Sequence, residues 1–470
     1  MSTKKMFNFS QYDNVTSITI PDRVNVGNGD FINTFTRMSN LKKVIIPLDK
    51  AVSMKYTYFE CSNLTGSPVC GNNVVEMMGI YGRCSNLTGS PVCGENVISM
   101  SQAYEECRNL TGSPVCGEKV TSMSHAYRGC SNLTGSPVCG ENVTEMYNAY
   151  EGCKNLTGSP VCGNNVINMS GTYIGCSNLT GNPVCGENVT EMYMTYWKCT
   201  NLTGAPVCGN NVTDMGSTYA DCTNLTGSPV CGENVIRMSS TYDNCTNLTG
   251  SPVCGENVTD MYSAYFLCRK ITGNPVCGAN VVNMAQTYSY CYNLTGSPVC
   301  GEKVTDMQWT YRNCYNLTGS PVCGNNVRQM YETYNRCFNL TGAPICGPNV
   351  TNLFGTYREC RNLSGNAYFY SNNIKAIQNC FGGKDNSKML NIYVHDNTTS
   401  LTTLLINIAG TNTKIFEDGY IKYSYNGSIV NTDITWTDDT ATNGCYYNTS
   451  YNIYIRPVAN VAAARELNGD

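Results

Sequence analysis

From Cys61 to Cys360 a cysteine recurs at every twenty-third position, through thirteen complete units without insertion or deletion. A second cysteine sits nine residues into each unit, from Cys70 to Cys346. A fixed period of about 20–50 residues marks a solenoid, because each unit is one supersecondary element that cannot bury its apolar face alone. Such arrays grow linearly, so the length of 470 residues does not by itself imply several domains.

The first unit reads CSNLTGSPVCGNNVVEMMGIYGR. Its first half places Leu64, Val69 and Cys70 around Gly66 and Pro68, which suits a short extended segment broken by a turn. In its second half Val74, Met77, Tyr81 and Cys84 fall at i, i+3, i+7 and i+10, one helical face of about 80°. Strict alternation cannot hold them, since Val74 and Met77 would face opposite ways. The expected coil is a short strand, a turn and about three turns of helix. Stacked at strand spacing, thirteen such coils make an α/β repeat solenoid about 60 Å long. The near-invariant Asn63, Leu64, Thr65, Gly66, Pro68, Val69, Cys70 and Gly71 columns have structural roles: turns, core and an asparagine ladder.

Residues 1–60 read as divergent capping repeats, with Phe31, Phe35, Met54 and Tyr58 in the Met and Tyr columns. NVTSITIPDRV reads as an edge strand stopped by Pro21. Residues 61–383 form the repeat array, whose last unit is degenerate and ends after Cys380. Residues 384–470 differ in composition and read as a small mixed α/β domain or cap. There LNIYVHD, GYIKYSYNG, IVNTDITWT and YNIYIRPV are expected as strands and SLTTLLINI as a helix.

Charged residues make up only 14% and the net charge is −4, which gives no electrostatic case for nucleic acid or an anionic membrane. No apolar run is long enough for membrane insertion, and the first twenty residues do not read as a signal peptide. The 29 cysteines are odd in number and locked to the repeat, so both columns read as stacked core thiols. Disulfides between some of them, or metal binding, are the alternatives. Metal is opposed by the lack of CxxC and by His125 and His395 being the only histidines. No cofactor is expected.

VTEMYNAYEGCKNLT (Val143 to Thr157) resembles the repeat of BspA-like leucine-rich-repeat surface proteins, in which Val-x-x-Met-x-x-x-aromatic-x-x-Cys precedes an Asn-Leu-Thr or Ser-Leu-Thr. NVTSITIP resembles the strand of the treponemal form of that family. SPVCG departs from the family's Ile-x-Ile-Pro-like strand, so the strand is expected to be shorter or bent. The resemblance covers residues 14–383, and the NLTGSPVCG units also resemble proteins encoded by phages and prophages of gut bacteria. It implies a leucine-rich-repeat solenoid serving surface adhesion, or receptor binding on a virion, without catalysis.

Five columns vary: two after Met, two after Tyr and one after the opening Cys. They hold Tyr193, Trp197, Tyr262, Phe266, Tyr290, Tyr292, Trp309, Tyr315, Tyr331, Phe338 and Phe354, off the apolar stripe and therefore expected at the surface. Exposed aromatics concentrated in this way suggest a recognition surface; the alternative is aromatics covering one another along the stack. The Tyr81 column belongs to the core, with hydroxyls near its rim. The Asn-Leu-Thr sequons lie in packed turns, which argues against glycosylation. Gly66 and Pro68 spoil any flat ice-binding threonine face. Nothing in the sequence supplies a nucleophile motif, a phosphate loop or an isolated acidic pair, so an enzyme is not expected. Inside the array the irregular unit is Arg269-Lys270-Ile271.

These features point to a phage tail-associated fibre or receptor-binding protein contacting a bacterial surface glycan or protein. A BspA-like bacterial adhesin and a filament-forming structural protein are the alternatives. A virion or cell-surface location is expected, with residues 384–470 available for self-association or virion attachment.

Overall fold

The structure, a computed structural model, describes residues 8–12, 14–409, 413–417, 420–425, 428–435, 444–448 and 451–469. The N-terminal stretch 1–7, the first residue and last two residues of GYIKYSYNG and the last two residues of IVNTDITWT lie outside them. The chain divides into two compact units, Met1–Val235 with Asn244–Asn247, and Ile236–Asp243 with Leu248–Asp470.

In the first unit β1 (Ser17–Thr19) pairs in parallel with β2 (Lys43–Ile45), Ser17 opposite Lys43. NVTSITIPDRV thus yields a strand of only three residues, ending before Pro21. Single parallel bridges then join successive repeats, from Asp30 with Ser53 to Glu191 with Asp214. The bridging residue is the one before the Met column, where parallel copies meet at one backbone position.

The second half of each repeat is not helical, which corrects the sequence expectation. Met123, His125, Tyr127 and Gly129 donate their N–H groups to the carbonyls of Glu145, Tyr147, Ala149 and Glu151 in the next repeat, at 2.7–2.9 Å. An α-helix would spend those donors within itself, on carbonyls four residues back. The intervening residues close tight turns: Ala126 N–H reaches Met123 O at 2.9 Å and Cys130 N–H reaches Tyr127 O at 3.0 Å. His125 and Gly129 stand at φ +56° and +75°, left-handed conformations that a right-handed helix does not admit. Consecutive four-residue turns reproduce the three-and-four spacing of buried side chains that resembles a helix. Val120, Met123, Tyr127, Cys130 and Leu133 are all fully buried.

Stacked tyrosines form the spine of this core. Rings of Tyr127, Tyr150, Tyr173 and Tyr196 follow one another at 5.5–5.6 Å with interplanar angles of 3–6°. At the N-terminal end Phe9 stacks on Phe35, Phe35 on Tyr58 and Tyr58 on Tyr81. The hydroxyls do not reach a solvent rim: Tyr127 Oη accepts from Val115 N–H at 3.0 Å and donates to Val115 O at 2.7 Å. The opening cysteine closes the same layer, Cys130 Sγ donating to Tyr104 O of the preceding repeat at 2.9 Å.

The Val-Cys segment departs from expectation. Pro68 packs inward while Val69 is 41% exposed and Val92 to Val322 of the same column are half-buried, so the column is not fully buried core. The opening cysteines are buried, whereas Cys70 to Cys323 of the second column are half-buried and only Cys346 of that column is buried. All cysteines are free thiols.

In the second unit the bridges run from Arg237 with Asp260 to Asn352 with Ala376. Tyrosines from Tyr242 to Tyr357 stack at 5.4–5.7 Å and end on Phe381. Here the Val-Cys segment becomes a true strand, β3 (Ile345–Cys346), because a parallel partner exists in β4 (Gly365–Phe369). β5 (Leu390–His395), α1 (Thr399–Leu404) with a π-helical turn (Leu405–Ala409), β6 (Thr413–Glu417), β7 (Tyr420–Tyr425), β8 (Ser428–Thr435), β9 (Cys445–Asn448), β10 (Ile453–Val458) and α2 (Val461–Asn468) follow. Their sheet has the order β3-β4-β5-β10-β9-β6-β7-β8. It is parallel from β3 to β10 and antiparallel from β10 to β8. β5, β7, β8 and β10 fall on the four segments expected as strands, and α1 begins the expected helix. β6, β9 and α2 were not foreseen.

Candidate recognition surface

Parallel repeats carry each surface position forward by one layer, so equivalent side chains become neighbours. In the column after the opening cysteine seven of the fourteen positions hold Ser or Thr, and such a hydroxyl reaches back to the preceding layer, as Ser85 Oγ does to Ser62 O at 3.5 Å. Three consecutive repeats of the second unit instead hold Tyr292, Tyr315 and Phe338. Their rings stack at 5.0 Å, with interplanar angles of 3° and 16°.

Both ends of this pile meet guanidinium groups. Arg361 Cζ lies 4.8 Å from the Phe338 centroid and Arg269 Cζ lies 5.9 Å from that of Tyr292. Tyr290 joins at 6.3 Å from Tyr292, bringing Phe266 edge-on at 5.8 Å and Arg312 at 5.9 Å. The irregular Arg269-Lys270-Ile271 unit thus supplies one end of the stripe through Arg269, while Ile271 fills the leucine column, fully buried. Near the buried Cys314 and the Tyr292 hydroxyl, desolvation first and then the neighbouring phenol raise the Tyr315 hydroxyl above its ordinary range.

The other named aromatics divide differently. Trp309, Tyr331 and Phe354 form a second group, Trp309 edge-on to Tyr331 at 5.2 Å and Tyr331 stacked on Phe354 at 5.1 Å. Trp197, in the first unit, lies under the Lys198 ammonium at 4.4 Å and donates to Asp221 Oδ2 at 3.3 Å. Tyr193 and Tyr262 are each 40% exposed. The remaining nine are half-buried rather than exposed; apart from Trp197, their rings meet aromatic neighbours one layer away. Edges and hydroxyls are what the stripe presents to solvent.

Tyr147, 42% exposed, was passed over by sequence reasoning although it follows Met146 as Tyr193 follows Met192. Its ring meets His125 edge-on at 5.0 Å, and burial pushes the His125 imidazole below its ordinary value. Among the described residues no three His, Cys, Asp or Glu side chains come together to hold a metal ion. No described helix is long and apolar enough to cross a membrane.

No family model and no curated protein matches this chain. Among solved structures it is similar to a leucine-rich repeat protein from Bacteroides ovatus, with 16% identity over 75% of this chain and 82% of that one, at a TM-score of 0.47. It is also similar to a leucine rich cell surface protein from Faecalibacterium prausnitzii, with 15% identity over 82% of this chain and 83% of that one, at a TM-score of 0.30. At those values neither likeness carries an argument about this chain's role.

Proposed function

We propose that this chain is a non-enzymatic leucine-rich-repeat solenoid of 23-residue coils that recognises a glycan or protein on a bacterial cell surface. The observation that carries the reading is the Phe266–Tyr290–Tyr292–Tyr315–Phe338 stripe with its three arginines. Aromatic and arginine side chains dominate binding energy where they are rigid and partly desolvated, and stacking holds these rings rigid before any partner arrives. The finer reading is a phage tail-associated fibre or receptor-binding component, with a bacterial surface adhesin as its rival.

A second reading, self-association or attachment through residues 384–470, is favoured by β8. It is the last strand in the order of eight, and an unpaired strand edge is a template for another chain.

Negative-stain electron microscopy of the purified chain, with and without intact gut bacteria, tests both. Separate particles decorating cells of one strain support recognition. End-to-end filaments that ignore cells overturn it in favour of a structural polymer.

A further inference from the structure

In the first unit Asn142, Asn165, Asn188 and Asn211 line an open trough of about 610 Å³ together with Thr144 and Thr190. Each asparagine Nδ2 donates to a backbone carbonyl of the preceding repeat at 2.9 Å: Glu118, Glu141, Asn164 and Glu187 in turn. A carbonyl accepts only from the nitrogen, so the amide orientation is fixed and every Oδ1 is left as an acceptor. The threonine hydroxyls are committed in the same sense. Thr144 Oγ1 donates to Thr121 O at 3.2 Å and Thr190 Oγ1 to Ile167 O at 3.4 Å, so only their lone pairs remain. Each layer of the trough therefore presents an uncommitted amide oxygen and a threonine or isoleucine beside it, with the second N–H of each amide as its remaining donor.

The chain itself shows what such a row accepts. At two places in this column a lysine replaces asparagine, and each ammonium reaches the preceding asparagine oxygen. Lys119 Nζ donates to Asn96 Oδ1 at 2.6 Å and Lys303 Nζ to Asn280 Oδ1 at 2.7 Å. Lys119 turns back to Asn96, so the four oxygens from Asn142 onward are left without an ammonium from this column. Over the same repeats the adjoining columns carry Glu141, Glu145, Glu187, Glu191 and Asp214 and no lysine or arginine. Ile167, also in the trough, gives methylene groups an apolar contact.

We infer that this trough binds an extended chain of alkylammonium groups, one nitrogen to each asparagine Oδ1. The acceptors recur once per layer, and equivalent side chains of successive layers are close neighbours, tyrosine ring centroids lying 5.5 Å apart, a scale that short alkyl spacers cover. Two sources share this chemistry, a free polyamine and the lysine side chains of a polypeptide. The trough lies apart in sequence from the aromatic stripe, so the two readings stand or fall separately.

The test is isothermal titration of the full chain at low salt with spermine and, separately, with tetralysine. The column already tolerates lysine twice, so Asn165→Lys should fold and direct its own ammonium at Asn142. Asn349→Lys adds the same charge in the same column of the second unit, outside the trough. We expect Asn165→Lys to weaken binding at least tenfold and Asn349→Lys to leave it unchanged. Binding of spermine alone assigns a free polyamine, and binding of tetralysine alone or of both assigns a lysine-bearing chain. No binding to the wild-type chain, or equal weakening by the two variants, overturns the inference.

Discussion

The Tyr150 hydroxyl accepts the Val138 N–H at 3.1 Å and donates to the Val138 carbonyl at 2.7 Å, closing both backbone groups of one residue. Val138 lies in the segment that lacks a strand partner, and the buried phenol takes that partner's place. Tyr150→Phe leaves both groups unmade, at a cost of about 1–3 kcal/mol. Tyr357 provides the contrast: its would-be partner Ile345 is in β3, and the buried Tyr357 hydroxyl has no hydrogen-bond partner. Tyr357→Phe should be neutral or slightly stabilising in thermal melts, whereas Tyr150→Phe should lower the melting temperature and speed amide exchange at Val138.

Arg336 is exposed and stands at φ +64°, where the equivalent positions of other repeats hold Gly129, Gly152 and Gly175. Arg336→Gly should therefore raise stability by up to about 1 kcal/mol. A helical repeat would predict the opposite, a loss of about 1 kcal/mol. Denaturant unfolding of the variant separates the two.

That contrast locates what the sequence conveyed. The buried columns were legible because Val120, Met123, Tyr127 and Cys130 recur without slippage. The helix was inferred from their spacing, and consecutive turns produce the same spacing. What decides between them is where the N–H of Tyr127 goes, and its acceptor, Ala149 O, lies 22 residues further on. Inward Pro68 and outward Val69 were likewise set by a hydroxyl twelve residues downstream, beyond any local pattern. The aromatic columns were readable as columns. That Tyr292, Tyr315 and Phe338 would join while Tyr193 and Tyr262 would stay more exposed depended on which repeats happened to be consecutive.

Burial pushes the half-buried thiols up from 9.0, to about 11 at Cys70 and Cys93 and about 12 at Cys116 and Cys162. The unfolded chain loses these protons first, so their contribution to stability is complete below about pH 9 and is lost as pH rises towards about 12. Melting temperature should hold steady to about pH 9 and then fall without recovery. A rise above that pH would contradict the thiol environment described. At neutral pH disulfide-exchange reagents should modify these thiols slowly, since the thiolate is the reactive form.

Arg128 bridges Glu105 at 3.1 Å and Glu151 at 2.8 Å, and the Glu105 side chain is only 6% exposed. Arg37 pairs with Glu60 at 3.1 Å while its own side chain is 75% exposed. Arg128→Met strands a nearly buried carboxylate, whereas Arg37→Met removes a solvated pair worth at most about 1 kcal/mol. The first variant should lose clearly more stability than the second, and added salt should narrow the Arg37 effect further.

The most direct test of the recognition account is the affinity of the fluorescently labelled chain for intact gut bacterial cells that it decorates. The wild type is compared with Tyr292→Ser/Tyr315→Ser/Phe338→Ser, the fold of the variant being checked by its melting curve. Loss of the stacked rings should weaken binding by at least about thirtyfold, the scale of one interface hot spot. Unchanged affinity in a folded variant would contradict the stripe as the recognition surface.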